Sequence, residues 1–402
     1  MWCARHILSG VVALWMAGAG AAAQTALASN EPTQAGTAAE SPLAADINEE
    51  VARVDVTVRL PNGRIHTGGM IITHFRPPGP GPFPIVVFSH GRTPASRHEP
   101  MRWRALPIAR YWTRRGFAVI VPTRVGYGEL GQAVDPEASG ACASAEFRPA
   151  VEAMATQVVR AVEFAQSLPW TDAKRVVLSG VSYGGFATLA GASKRIPGVI
   201  GAVNFVGGLG GNAQQRPGAP CQAERVTAVA ASLGATSRVP TLWLYADNDR
   251  YWGAEWPRRW FDAYTAAGGN ARMTSFAPVG DDGHRLMSGA FPIWRPVVDR
   301  YVASLGFSLP VAETNLPASG FATLDEIDKL PHVKSATARE GYAKFLAADL
   351  PRAFAVSRNG AWAWRSGLDA VKVALERCQG NARAACSLYA VDDRVVWNPA
   401  RR

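Results

Sequence analysis

Lys174-Arg175-Val176-Val177-Leu178-Ser179-Gly180-Val181-Ser182-Tyr183-Gly184-Gly185 is the stretch on which the fold turns. An apolar run suited to a strand passes into a Gly-x-Ser-x-Gly turn, and a small-residue helix follows over about 185–194. A serine so placed stands on a strand-to-helix turn sharp enough to push its hydroxyl clear of the backbone. The glycines at 180 and 184 let strand and helix approach closely. Five residues are a weakly specific pattern, and the flanking strand and helix give it weight. Without them, Ser182 reads as a solvated turn serine.

Strand-like and helix-like segments alternate on both sides of this turn. Residues 51–60 alternate apolar and polar, Pro61-Asn62-Gly63 reads as a turn, and 65–75 is strand-like again, which predicts a hairpin. A Pro/Gly loop over 77–84 leads to the short buried strand Ile85-Val86-Val87-Phe88, ending at Ser89-His90-Gly91-Arg92. A helix is expected over 101–115, capped by Gly116, then a strand over 117–121 and a helix over 147–168. Further strands are expected at 199–206, 241–245 and 272–276, with helices at 255–266 and 294–305. This order predicts an α/β fold, a mostly parallel sheet with helices on both faces and an antiparallel hairpin at one edge. In such sheets reactive residues sit beyond the carboxyl ends of strands. Positions 89–92, 182, 246–249 and 280–284 all fall there.

The catalytic domain is bounded at 49–308. Within it, the Gly-, Ala- and Gln-rich stretch 207–238 reads as a lid or pocket wall. Pro310, Pro317 and Pro331 mark a linker. Residues 320–402 then read as a small α+β extension, helical at 338–350 and 368–377 and extended at 353–356, 361–364 and 388–396.

Residues 1–28 read as a secretory signal peptide: Arg5, an apolar stretch over 7–23, then the Ala26-Leu27-Ala28 cleavage pattern, with Ala21-Ala22-Ala23 as a second site. An uncleaved anchor is the alternative. Residues 29–48 look like a disordered lead-in. Removing the signal takes Cys3 with it. Cys142, Cys221, Cys378 and Cys386 remain, an even number that suggests two disulfides in an exported chain. Cys378 and Cys386 are near neighbours in sequence, which leaves Cys142 for Cys221. Four free buried thiols are the other possibility. The chain is expected to be periplasmic or secreted, with no stable membrane insertion after cleavage.

The 402 residues are 48% apolar and 18% charged, ordinary for a globular protein. Net charge is +10 and the isoelectric point about 9.7. Arg97, Arg102, Arg104, Arg110, Arg114 and Arg115 read as a solvated basic face, able to attract anions. No nucleic-acid module is recognisable, so no nucleic-acid partner is expected. No oligomeric state can be read.

A serine hydroxyl is a poor nucleophile near neutral pH. It needs a neutral imidazole to take its proton and an acid to hold that imidazole. In this fold the chain order is Ser, then Asp or Glu, then His. His284, in Gly280-Asp281-Asp282-Gly283-His284, is the imidazole candidate; a surface histidine is the plain alternative. Asp249 is the acid candidate, three residues past Ala246, with Asp247 as competitor. The developing oxyanion needs two backbone N–H groups. Tyr183 and Arg92 are the candidates, and His90 is expected to brace the second. Tyr251, Trp252 and Trp256 follow the acid and either line the acyl pocket or belong to the core. No metal or organic cofactor is expected.

With Phe88-Ser89-His90-Gly91, the elbow at 180–185, residues 244–249 and Asp282-Gly283-His284 in view, residues 50–305 resemble the α/β-hydrolase superfamily, most closely its dienelactone hydrolase-like branch. That resemblance implies an α/β-hydrolase sheet, a Ser182-His284-Asp249 triad and no cofactor. Dienelactone hydrolases proper use a cysteine nucleophile, whereas Ser182 stands here. Serine is the norm in esterases and in prolyl oligopeptidase-like peptidases, where Gly-x-Ser-Tyr-Gly-Gly is common. The expected activity is hydrolysis of a small-molecule carboxylic ester through an acyl-enzyme. A peptidase or amidase with the same triad is the enzymatic alternative. A non-catalytic envelope binding protein on the same scaffold is the alternative of a different class.

Overall fold

The computed structural model describes residues 42–131, 134–309, 316–348, 351–367 and 370–399. The signal peptide and most of the lead-in fall outside the described residues. The hairpin forms as expected from β1 (Glu50–Arg59) and β2 (Ile65–Phe75). Six further strands follow: β3 (Phe83–Ser89), β4 (Ala118–Thr123), β5 (Thr171–Val181), β6 (Val199–Phe205), β7 (Thr241–Ala246) and β8 (Ala271–Phe276). They form one sheet in the order β1-β2-β4-β3-β5-β6-β7-β8. β1, β2 and β4 pair antiparallel, and every pair from β4 to β8 is parallel. This is the α/β-hydrolase arrangement.

Handedness places the helices. Parallel crossovers are right-handed, so the direction of travel along the sheet selects the face. The step from β3 to β4 goes one way and carries α1 (Leu106–Thr113). The return to β5 and the steps on to β8 go the other way. They carry α2 (Arg148–Ser167), α3 (Tyr183–Ser193), α4 (Ala223–Thr236) and α5 (Glu255–Ala266) in the opposite layer. After α6 (Leu286–Gly289), α7 (Phe291–Ser304) joins α1: Tyr111 meets Trp294 edge-on at 4.8 Å and donates to Asp299 at 2.6 Å. The central strands are buried on both faces, as their unbroken apolar runs require.

Register decides what stands at the carboxyl edge. Ser89 of β3 lies opposite Gly180 of β5, so the 90–92 loop and the elbow leave the sheet side by side. Ala246 lies opposite Phe276, so the loops bearing Asp249 and His284 also leave together.

Four expectations need correction. Residues 42–48 are ordered: Ala45–Ile47 form a 3-10 turn, Ile47 is buried in the core, and Asp46 pairs with Arg110. The helix expected from 101 begins at Leu106, because Ala105 sits at φ 47° and breaks the turn before it. The basic residues are not a uniformly solvated face: Arg102 and Arg104 both bond the buried Glu49, and Arg115 bonds Asp299. Their acceptors lie tens of residues away, where no local pattern reveals them. Finally, 207–238 is not all lid, since two parallel strands need a crossover and α4 supplies it against α5.

The extension is a second layer pair. β9 (Arg352–Ser357), β10 (Trp362–Ser366), β11 (Cys386–Val391) and β12 (Arg394–Val395) form an antiparallel sheet in the order β10-β9-β11-β12. Alternation along β9 sorts its two helices. Phe354 and Val356 pack with Tyr342 and Phe345 of α8 (Ala336–Ala347), while Ala353 and Ala355 face the alanines of α9 (Ala370–Asn381). Both expected disulfide pairs form, Cys142–Cys221 and Cys378–Cys386. Among the described residues no helix is long and apolar enough to cross a membrane.

Candidate active site

Ser182 links β5 to α3 at φ 57°, ψ −127°, a conformation that L-residues seldom adopt. Surrounding backbone over-determines it. Its amide donates to Phe205 O at 3.0 Å, and its carbonyl accepts from Gly185 N at 2.8 Å. Gly184 lets α3 meet the end of β3, since a Cβ there would lie 2.0 Å from Ser89 O. Ser182 is half-buried. Gly91 is its neighbour across the gap: a Cβ on Gly91 would be 3.3 Å from Ser182 Cβ and 3.9 Å from its Oγ.

Asp249 and His284 meet as the register predicts. His284 Nδ1 lies 3.0 Å from Asp249 Oδ2. Asp249's side chain is wholly buried and that of His284 is 14% exposed. The other carboxylate oxygen accepts the amides of Tyr251 (2.8 Å) and Trp252 (3.1 Å). An acceptor at Nδ1 puts the imidazole proton there and leaves Nε2 bare. Asp247 is exposed, and the carboxylate that bonds the imidazole is that of Asp249. Asp282, part of the motif around His284, has a positioning role that the motif does not reveal: its Oδ1 takes the amides of His284 (2.9 Å) and Arg250 (3.0 Å), tying the two loops.

The aromatic residues after the acid divide. Tyr251 stacks on the His284 ring at 4.0 Å and is partly exposed, and burial together with Asp282 and Asp249 pushes its phenol above the ordinary tyrosine range. Trp252 is buried, donates to Val206 O at 2.8 Å and meets His284 edge-on at 5.5 Å. It supports the imidazole from behind instead of lining open space. Trp256 lies under the Arg259 guanidinium on α5.

Tyr183 opens α3, so its N–H has no acceptor within the helix. Arg92 follows Gly91 in the loop beside Ser182. His90 does brace that loop. Its ring is buried and stacks on Trp103 at 4.6 Å, Nε2 accepts Arg124 N at 3.2 Å, and Nδ1 donates to Gly91 O at 2.7 Å. Burial and the neighbouring Arg124 hold His90 well below the ordinary histidine range, so it stays neutral. Ion pairs behind this loop, Arg92–Asp135 and Arg124–Glu137, escaped sequence reading. No spacing rule joins partners that far apart.

The prolyl oligopeptidase family model matches residues 105–197, from the start of α1 past Ser182 to just beyond α3. No curated protein matches the chain. Among solved structures, a chain named as a dienelactone hydrolase from Klebsiella pneumoniae subsp. pneumoniae MGH 78578 is 16% identical, covering 64% of this chain and 100% of that one, with a TM-score of 0.41. The acetyl xylan esterase of Paenibacillus sp. R4 is 18% identical over 64% of this chain and 89% of its own, with a TM-score of 0.43. The acylaminoacyl peptidase of Pyrococcus horikoshii is 12% identical over 67% of this chain and 43% of its own, with a TM-score of 0.41. The class defined by fold and topology is the α/β-hydrolase.

Proposed function

We propose that this chain is an exported serine hydrolase that cleaves a carboxylic ester. The observation that carries the reading is the 3.0 Å bond from His284 Nδ1 to the buried Asp249, on loops that leave the same carboxyl edge of the sheet as the strained Ser182. Ser182 Oγ attacks the ester carbonyl while His284 Nε2 takes its proton. Asp249 holds the imidazole tautomer and stabilises the imidazolium. The amides of Tyr183 and Arg92 receive the oxyanion. His284 then protonates the leaving alkoxide, and it activates the water that releases the acyl group from Ser182.

The match to the prolyl oligopeptidase family over residues 105–197 makes peptide hydrolysis the second reading. The two disulfides support an oxidising destination. Labelling with a fluorophosphonate probe tests the triad: the wild type is labelled and Ser182→Ala is not. A folded wild type that resists the probe refutes hydrolase function. Turnover of matched p-nitrophenyl esters and p-nitroanilides decides between the two substrates, with the ester reading lost if anilides are cleaved faster.

A further inference from the structure

We infer that Asp135 is a positioning residue for the oxyanion-binding amide of Arg92, an inference that rests on the triad reading above. Residues 90–92 are gripped from three sides. The His90 ring is fixed as described. The His90 carbonyl accepts Arg124 Nη1 at 2.7 Å, and Arg124 is itself paired with Glu137 at 2.5 Å, both side chains being fully buried. The third grip is on Arg92. Its guanidinium donates to both oxygens of Asp135, at 2.9 and 2.7 Å, and to the Tyr127 hydroxyl at 2.9 Å. Tyr127 in turn donates to Glu137 at 2.6 Å. One polar chain therefore runs from Asp135 through Arg92, Tyr127, Glu137 and Arg124 to the carbonyl of His90.

The same guanidinium lies 5.6 Å from the centre of the Tyr183 ring. The two residues whose amides are to bind the oxyanion are thus joined through their side chains. A bidentate carboxylate fixes the plane of a guanidinium as well as its position, which a single contact does not. Arg92 is held in that plane with its side chain 7% exposed, so its Cα and amide have little freedom. Oxyanion donors act by being aimed in advance, and placement must hold within about 0.5 Å. A buried ion pair is poor evidence of added stability, because desolvation offsets the attraction. What this clamp supplies is direction.

The test compares wild type with Asp135→Asn in the full chain, using an activated ester and an aryl boronic acid that forms a tetrahedral adduct on the serine. Losing a whole oxyanion donor costs about 100- to 1,000-fold in kcat, so a misaimed one should cost about 10- to 100-fold. The expected result is that loss in kcat, KM within about twofold, and boronate affinity reduced by a similar factor. Arg92→Lys, which keeps the charge and loses the fork, should reproduce it and stands in if Asp135→Asn does not fold. If the wild type turns over and both folded variants keep kcat within twofold, or lose only KM with boronate affinity unchanged, the positioning role is refuted and the triad reading stands. A folded wild type that neither turns over nor reacts with the fluorophosphonate overturns both.

Discussion

Replacing Ser182 by glycine and by alanine separates the strain of the elbow from the chemistry of its hydroxyl. Both variants lack the proposed nucleophile, so both should be inactive. They differ only in the Cβ, and that atom is what makes φ 57°, ψ −127° costly. Residues held in sparsely populated backbone regions cost about 1–3 kcal/mol. Glycine removes that cost but gives the unfolded chain more freedom, worth about 0.4–1 kcal/mol in the opposite direction. The glycine variant should therefore be more stable than the alanine variant by about 0.5–2 kcal/mol. In a chain of this size that is a rise in Tm of about 0.5–2.5 °C. Differential scanning calorimetry at one pH and one protein concentration measures it directly. Equal or lower stability in Ser182→Gly would refute the claim that the fold stores strain at the nucleophile. The alanine variant is the proper reference, since comparison with wild type would mix in the hydroxyl's own contacts.

Gly184→Ala would place a methyl 2.0 Å from Ser89 O and 2.4 Å from His90 O, both backbone atoms. The end of β3 and the start of α3 must then part by about 1 Å, a displacement that can cost about 100-fold in turnover, with a stability loss of about 1–3 kcal/mol. Wild-type turnover in that variant would show that the close approach is dispensable. Glu49 sets an acid limit on stability. Burial alone would raise its pKa, but bonds from Arg104 and Arg102 outweigh it and hold it below the ordinary glutamate value of 4.5. A carboxylate depressed on folding adds stability above its unfolded pKa, which is lost as pH falls through the folded one. Melting temperature should thus fall as pH drops below about 4.5, and Glu49→Gln should be less stable at neutral pH yet lose less on acidification; parallel curves for the two proteins would contradict this.

The sheet was legible because each element carries its own local signal. The Asn62-Gly63 turn, the apolar run at 85–88 and the elbow at 180–185 each obey a short-range rule, and register follows from them. The acid and imidazole were legible because the fold puts both at strand ends, and Asp249 proves to be the aspartate that meets His284. Less could be read wherever partners are distant in sequence. Arg102 and Arg104 looked solvated because their acceptor, Glu49, lies 53 and 55 residues away, just past a segment whose composition suggested disorder. Asp282 joins two loops, and its partner Arg250 lies 32 residues away, beyond the reach of any local pattern. The crossover α4 was hidden by a Gly- and Ala-rich composition with a weak apolar face, and the need to connect parallel strands was the better guide.

The bond between Cys142 and Cys221 closes a covalent circle that contains α2, β5, Ser182, α3 and β6. A single peptide cut anywhere between these two cysteines therefore releases no fragment. Ser182 stays tethered on both sides of the nick, to the Arg92 loop through Cys142 and to the Asp249 and His284 loops through Cys221. The exposed turns within that circle are places where one proteolytic cleavage can be absorbed without Ser182, Asp249 and His284 being parted.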